Sequence, residues 1–176
     1  MMRHRLLRIA FVCLWSALPV RLQADLIEVT SRKAAPDFSL ADSKEATIKL
    51  SNYKGRVVLL DFWATWCEGC KMEIPWYKEF QKKYKDSGLS VVGVSVDDDG
   101  WKSVKPFLEA TPVNYPVVIG DWDLAGSFGI TSLPVTLLID RNGKVADLHS
   151  GMVDKDAFDR EIQILLKEGA AKEPAK

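Results

Sequence analysis

Apolar residues fall along this chain in two patterns. The first is the short unbroken run. "RVVLLDFWA" (Arg56–Ala64) and "LSVVGVSVD" (Leu89–Asp97) are nearly continuous apolar blocks of strand length, as expected of parallel strands buried on both faces. "YPVVIGD" is a shorter block of the same kind. Ahead of them, Phe38, Leu40, Ile48 and Leu50 predict two short strands with a turn around Asp42–Ala46. "PVTLLIDRNGKVADLHSG" (Pro134–Gly151) is the best hairpin signal, two strands joined through Asn142-Gly143.

The second pattern has a helical period. From Glu68 to about Asp86, Met72, Trp76, Phe80 and Tyr84 recur every four residues, which predicts a helix packed on that face. Pro75 inside it predicts a kink, and Gly88 ends it. "GWKSVKPFLEA" (Gly100–Ala110) predicts a helix despite Pro106, and "WDLAGSFGI" a short one. "DKDAFDREIQILLKEGA" predicts an amphipathic C-terminal helix with Phe158, Ile162 and Leu165 on one face and Asp154 as its N-cap. The order is βαβ, an insertion, a β-hairpin and a final helix, a mixed α/β layer architecture.

The 176 residues suffice for one domain with its own core. A hydrophobic content of 47% with 27% charged residues is ordinary for a globular protein. The chain is formally neutral, but residues 1–24 hold Arg3, Arg5, Arg8 and Arg21 and no acid, which leaves 20 basic and 24 acidic residues, a net charge of −4, in the remainder. A mildly acidic domain lacks the basic footprint of a nucleic-acid binder.

Those first 24 residues have the layout of a secretory signal: a basic start, an apolar run of 12 residues from Ile9 to Val20, and small or polar residues near Ala24. The run is shorter than the roughly 20 residues that span a bilayer. An uncleaved anchor over residues 6–20 is the alternative, kept open by Leu22 at the −3 position of a cut after Ala24. The expected organisation is a signal at 1–24, a domain at 25–170 and a flexible tail at 171–176. With the signal removed, Cys67 and Cys70 are the only cysteines. A staple across two residues gains little loop-closure entropy. Structural zinc needs four ligands, and no second Cys pair or His-x-x-x-His follows. The remaining reading is a redox pair in an oxidising compartment. Cys67 falls at the predicted strand-to-helix junction, where free N–H groups and the helix dipole stabilise a thiolate. It is the expected attacker, with Cys70, one turn on, more buried and resolving.

"DFWATWCEGCKMEIP" resembles the active-site segment of the thioredoxin superfamily. Together with "APDFSL", "GITSLPVTLLIDRNGKV" and the signal-like start, the chain resembles the exported TlpA/ResA-type thiol–disulfide oxidoreductases, over roughly Ala35 to Leu166. The resemblance implies a thioredoxin-like fold, with a central mixed sheet flanked by helices, a short N-terminal β extension and a TlpA-type βα insertion near Asp97–Val113. It implies a cis bond at Pro134 facing the cysteines, backbone groups at Leu133 for an extended substrate, Trp66 beside the attacking cysteine and Pro75 as the helix-kinking proline. Asp61 interrupts a buried strand, where a carboxylate is costly. It matches the buried aspartate of thioredoxin, which implies a raised pKa and proton exchange with the resolving thiol. A strand-end carboxylate that reaches water is the plainer alternative. Glu73 resembles an acid of some ResA-type proteins, against a solvated helix-face glutamate. The chain departs from the family at Glu68-Gly69, where proline usually precedes the second cysteine. Gly69 adds backbone freedom, and Glu68 adds a charge that opposes thiolate formation.

The expected activity is reduction of protein disulfides outside the cytosol, in the periplasm or at the outer membrane face, by a monomer recharged from a membrane-embedded thiol donor. Cytochrome c maturation is one setting. No cofactor or metal is expected. Two rivals remain. A peroxiredoxin-like peroxidase shares the "APDF" opening, but needs a threonine three residues before its cysteine, and Thr65 is two before Cys67. A copper-handling protein would use Cys67, Cys70 and His149.

Overall fold

The computed structural model describes residues 26–170. The expected export segment and the tail lie outside them. β1 (Ser39–Ala41) and β2 (Thr47–Lys49) form an antiparallel hairpin. Its turn is organised by Asp42, whose Oδ1 accepts from the Lys44 and Ala46 amides at 2.8 and 2.9 Å. A five-stranded sheet follows, built from β3 (Val57–Trp63), β4 (Leu89–Ser95), β5 (Val117–Ile119), β6 (Val135–Ile139) and β7 (Val145–Ser150). Its order is β5-β4-β3-β6-β7. β3, β4 and β5 run parallel, while β6 and β7 are antiparallel to their neighbours. Every residue of β3, β4 and β6 is buried, which is why β3 and β4 read as nearly continuous apolar runs.

Among the described residues four helices accompany the sheet: α1 (Glu68–Tyr84), α2 (Trp101–Ala110), α3 (Trp122–Ser127) and α4 (Lys155–Ala170). α2 lies within Asp97–Val113, where the βα insertion was expected, and β5 and α3 follow before β6. α1 is followed by a 3-10 turn, and Gly88 closes it with a φ of 105°, a conformation that side chains rarely adopt. Asp154 caps α4, accepting from the Ala157 amide at 2.7 Å, and Phe158, Ile162 and Leu165 are buried beneath it. Among the described residues no helix is long and apolar enough to cross a membrane.

One expected face is corrected. Met72 is exposed and Trp76 only half-buried, whereas α1 buries Cys70, Glu73, Ile74, Tyr77, Phe80 and Tyr84. A four-residue step turns about 400°, so a strict four-residue stripe drifts about 40° per step around the helix. The packed face alternates steps of three and four instead. The β6–β7 connection is also longer than an Asn-Gly turn alone. Residues 140–144 form it, with Asp140 Oδ1 accepting from the Asn142 and Lys144 amides at 2.9 and 3.0 Å.

Candidate active site

Cys67 is the N-cap of α1 and Cys70 lies in its first turn. The two are joined in a disulfide with Cα atoms 5.3 Å apart. Cys67 keeps 7% of its surface exposed and Cys70 none, so Cys67 is the accessible one of the pair. Trp66, immediately before it, is 60% exposed, so it is not a packing residue.

The turn that delivers Trp66 and Cys67 is held from below by Asp97, two residues past β4. The Thr65 amide donates to both Asp97 oxygens at 3.2 and 3.0 Å, the Thr65 hydroxyl to Oδ1 at 2.6 Å and the Ser95 hydroxyl to Oδ2 at 2.7 Å. The Thr65 hydroxyl is thus spent on Asp97 rather than on the cysteine. Sequence reasoning passed over Asp97. The available signal was an acid closing an apolar run.

Asp61 lies in the middle of β3, 1% exposed, and neither carboxylate oxygen has a hydrogen-bond partner. It does not reach water at a strand end. Burial pushes its carboxyl well above the usual carboxylate range, and the like charge of Glu73 pushes it further. Its field also reaches Tyr77 and Tyr115, whose phenols are raised first by their own burial. Thr136 sits opposite Asp61 in the β3–β6 register and its hydroxyl bonds Tyr77 on the buried face of α1, so Asp61 lies on the side of the sheet that α1 covers.

Glu73 is fully buried rather than solvated. Its Oε1 accepts from the Val153 amide at 2.7 Å and its Oε2 has no partner. Burial raises its pKa against the pull of the Val153 amide. Tyr77 bonds Thr136 through their hydroxyls at 2.6 Å.

Across the site the Leu133–Pro134 bond is cis. The Pro134 ring faces Gly69: a Cβ placed on Gly69 would lie 3.4 Å from Pro134 Cδ and Cγ, and 3.4 Å from Met152 Cγ. Leu133 and Pro134 are both half-buried. Glu68 points to solvent and pairs with Lys71 at 2.8 Å. The structure thus gathers Trp66, Cys67, Gly69, Cys70 and Pro134 around the disulfide, with Asp61 and Glu73 in the interior behind α1. His149 Nε2 lies 3.1 Å from the Met152 carbonyl. Among the described residues there is no group of three or more His, Cys, Asp or Glu able to hold a metal ion.

The AhpC/TSA family pattern matches residues 32–148. Similarity to characterised proteins covers more. The thiol-disulfide oxidoreductase ResA of Geobacillus kaustophilus is 36% identical over 130 residues, 73% of this chain and 74% of that protein. The thioredoxin-like protein YneN of Bacillus subtilis is 31% identical over 140 residues, 78% of this chain and 82% of its own. This chain belongs to the AhpC/TSA family. Within it, the chain is a thiol–disulfide oxidoreductase of the ResA/DsbE type with a Cys67–Cys70 pair. A solved structure of a putative thiol:disulfide interchange protein DsbE from Chlorobium tepidum superposes with a TM-score of 0.73 at 37% identity, over 77% of this chain and 96% of that one. The thioredoxin-like fold of this family member is therefore the one its sequence implied.

Proposed function

We propose that this protein is an exported reductase of protein disulfides, a monomer whose Cys67/Cys70 dithiol is recharged by a membrane-embedded thiol donor. The segment at 1–24 delivers it to the periplasm or the outer face of the membrane, and apocytochrome c is one client. The observation that carries the reading is Asp61: a buried carboxyl with no partner, on the side of the sheet covered by the helix that bears Cys70.

In the proposed cycle the Cys67 thiolate attacks one sulfur of the client disulfide. A mixed disulfide forms and the first client thiolate leaves to be protonated. Cys70 then gives its proton to the Asp61 carboxylate and attacks Cys67 Sγ. The second client thiolate leaves, two electrons have passed to the client, and the Cys67–Cys70 disulfide is the oxidised product. Leu133 offers backbone groups to an extended client segment, with Pro134 and Trp66 flanking the reacting sulfurs.

The test is the reduction potential of the couple in the purified domain, equilibrated against a thiol buffer. A value near roughly −270 mV, as in thioredoxin, supports the reducing direction, whereas one near about −120 mV, as in DsbA, reverses it. A Cys70→Ser variant should accumulate a mixed disulfide with a client protein. Absence of any reversible disulfide in the native protein overturns the cycle.

A further inference from the structure

The loop between β7 and α4 is fixed at three successive residues. The Gly151 amide donates to the Pro134 carbonyl at 2.9 Å. The Met152 carbonyl meets His149 Nε2 at 3.1 Å. The Val153 amide donates to the buried Glu73 carboxylate at 2.7 Å. Gly151 supplies the turn with a φ of 92°. Three anchors on three consecutive residues, one of them using a buried charge, are more than a surface turn needs.

What this loop holds in place is one side chain. Met152 is 46% exposed, yet its Cγ lies at contact distance from the Cβ position of Gly69, between the two cysteines and beside the Pro134 ring. Two residues separate the cysteines: Glu68 points to solvent, Gly69 carries no side chain, and the Met152 Cγ lies at contact distance from where a Gly69 Cβ would be. Methionine is flexible and polarizable, suited to apolar partners of varied shape. Trp66 and Met72 leave further apolar surface exposed on neighbouring turns.

We infer that Met152 is a specificity-determining residue, an apolar wall of the client groove that selects an extended, disulfide-bearing segment with an apolar side chain next to the cysteine under attack. The inference rests on the oxidoreductase reading and names the client chemistry. Glu73 acts here as a positioning residue through its bond to the Val153 amide. No new covalent step is needed, because the exchange remains that of Cys67 and Cys70.

The test compares the full-length protein with Met152→Gln, which keeps the length of the side chain but makes it polar, and Met152→Leu, which keeps it apolar. Three oxidants are used: a disulfide peptide with leucine beside the cysteine, the same peptide with serine there, and hydroxyethyl disulfide. We expect Met152→Gln to raise KM for the leucine peptide about 5- to 10-fold, with kcat held. The serine peptide and hydroxyethyl disulfide should change less than about 2-fold, and the reduction potential should not move. Met152→Leu should restore the leucine-peptide KM. Equal effects on both peptides, or none on either, overturn the assignment while hydroxyethyl disulfide is still reduced. Failure of the native protein to exchange with any of the three overturns the oxidoreductase reading itself, and the assignment with it.

Discussion

Asp61 and Asp97 are both buried aspartates associated with neighbouring parallel strands, one inside β3 and one just past β4. Asp97 is saturated: an amide and two hydroxyls converge on its carboxylate. Asp61 has no hydrogen-bond partner on either oxygen. A buried acid that accepts several hydrogen bonds behaves as a fastener, because its charge is stabilised where it sits. A buried acid that accepts none is a cost to folding. In the proposed cycle the same residue type therefore serves structure at one position and chemistry at the other, and the surroundings decide which.

Breaking the fastener should give the largest effect. Asp97→Ala leaves the Thr65 amide and the Thr65 and Ser95 hydroxyls without their acceptor, so stability should fall by about 2–4 kcal/mol in chemical denaturation. A loss below about 0.5 kcal/mol would show that the bonds are not worth their count.

Removing the unpaired acid should act on rate first. Asp61→Asn should slow resolution of the mixed disulfide by about 100-fold, followed by rapid quench and thiol trapping. An unchanged resolving step would sink the proton role given to Asp61.

The same Asp61→Asn substitution should raise stability, the opposite sign to Asp97→Ala. The folded-state pKa of Asp61 is raised. Below about pH 4 the carboxyl is protonated in both states. As pH rises from there, the unfolded chain releases the proton and the folded chain keeps it, so Asp61 lowers stability progressively until its folded-state pKa is passed. The gain in Asp61→Asn should therefore be near zero at pH 4 and reach about 1–3 kcal/mol by pH 8. Urea titrations at the two pH values check both sign and slope. A gain that shrinks with pH contradicts the assignment.

The smallest effect belongs to an acid that is neither saturated nor buried. Glu68 pairs with Lys71 at the surface, and Glu68→Gln should change stability by less than about 0.5 kcal/mol. It should lower the Cys67 thiol pKa in the reduced protein by removing a nearby negative charge, which thiolate absorbance would follow.

The parts of this molecule that depend on neighbours in sequence were legible. β3 and β4 announced themselves as apolar runs, β6 and β7 as a hairpin pattern, and Cys67 at the strand-to-helix junction followed from local order. Asp61 stood out because it interrupts such a run. Asp97 did not, because its worth depends on the parallel register that sets Trp63 beside Ser95. Glu73 was ambiguous for the same kind of reason: the amide that holds it, Val153, lies 80 residues further along. Met152 was invisible until folding laid its loop against Gly69. The stripe on α1 was misread from local information, because a four-residue repeat does not follow the 3.6-residue turn.

The borders of the main sheet bear on what such a protein can safely handle. At one border Asp42, at the end of the small hairpin, bridges to Val118 of β5. At the other the chain before β1 lies along the start of β7: the Ile27 amide reaches the Ala146 carbonyl at 2.7 Å and the Val145 amide reaches the Lys33 carbonyl at 2.9 Å. Arg32, bonded to Asp140 and Glu168, holds that strip down. A client disulfide is presented by a chain that is partly unfolded and ready to add itself as a strand to any open edge. Here the protein's own backbone takes part of each border, at Val118 and at Lys144–Ala146. In the proposed cycle this shortens the open edge on which a client chain could add itself as a strand.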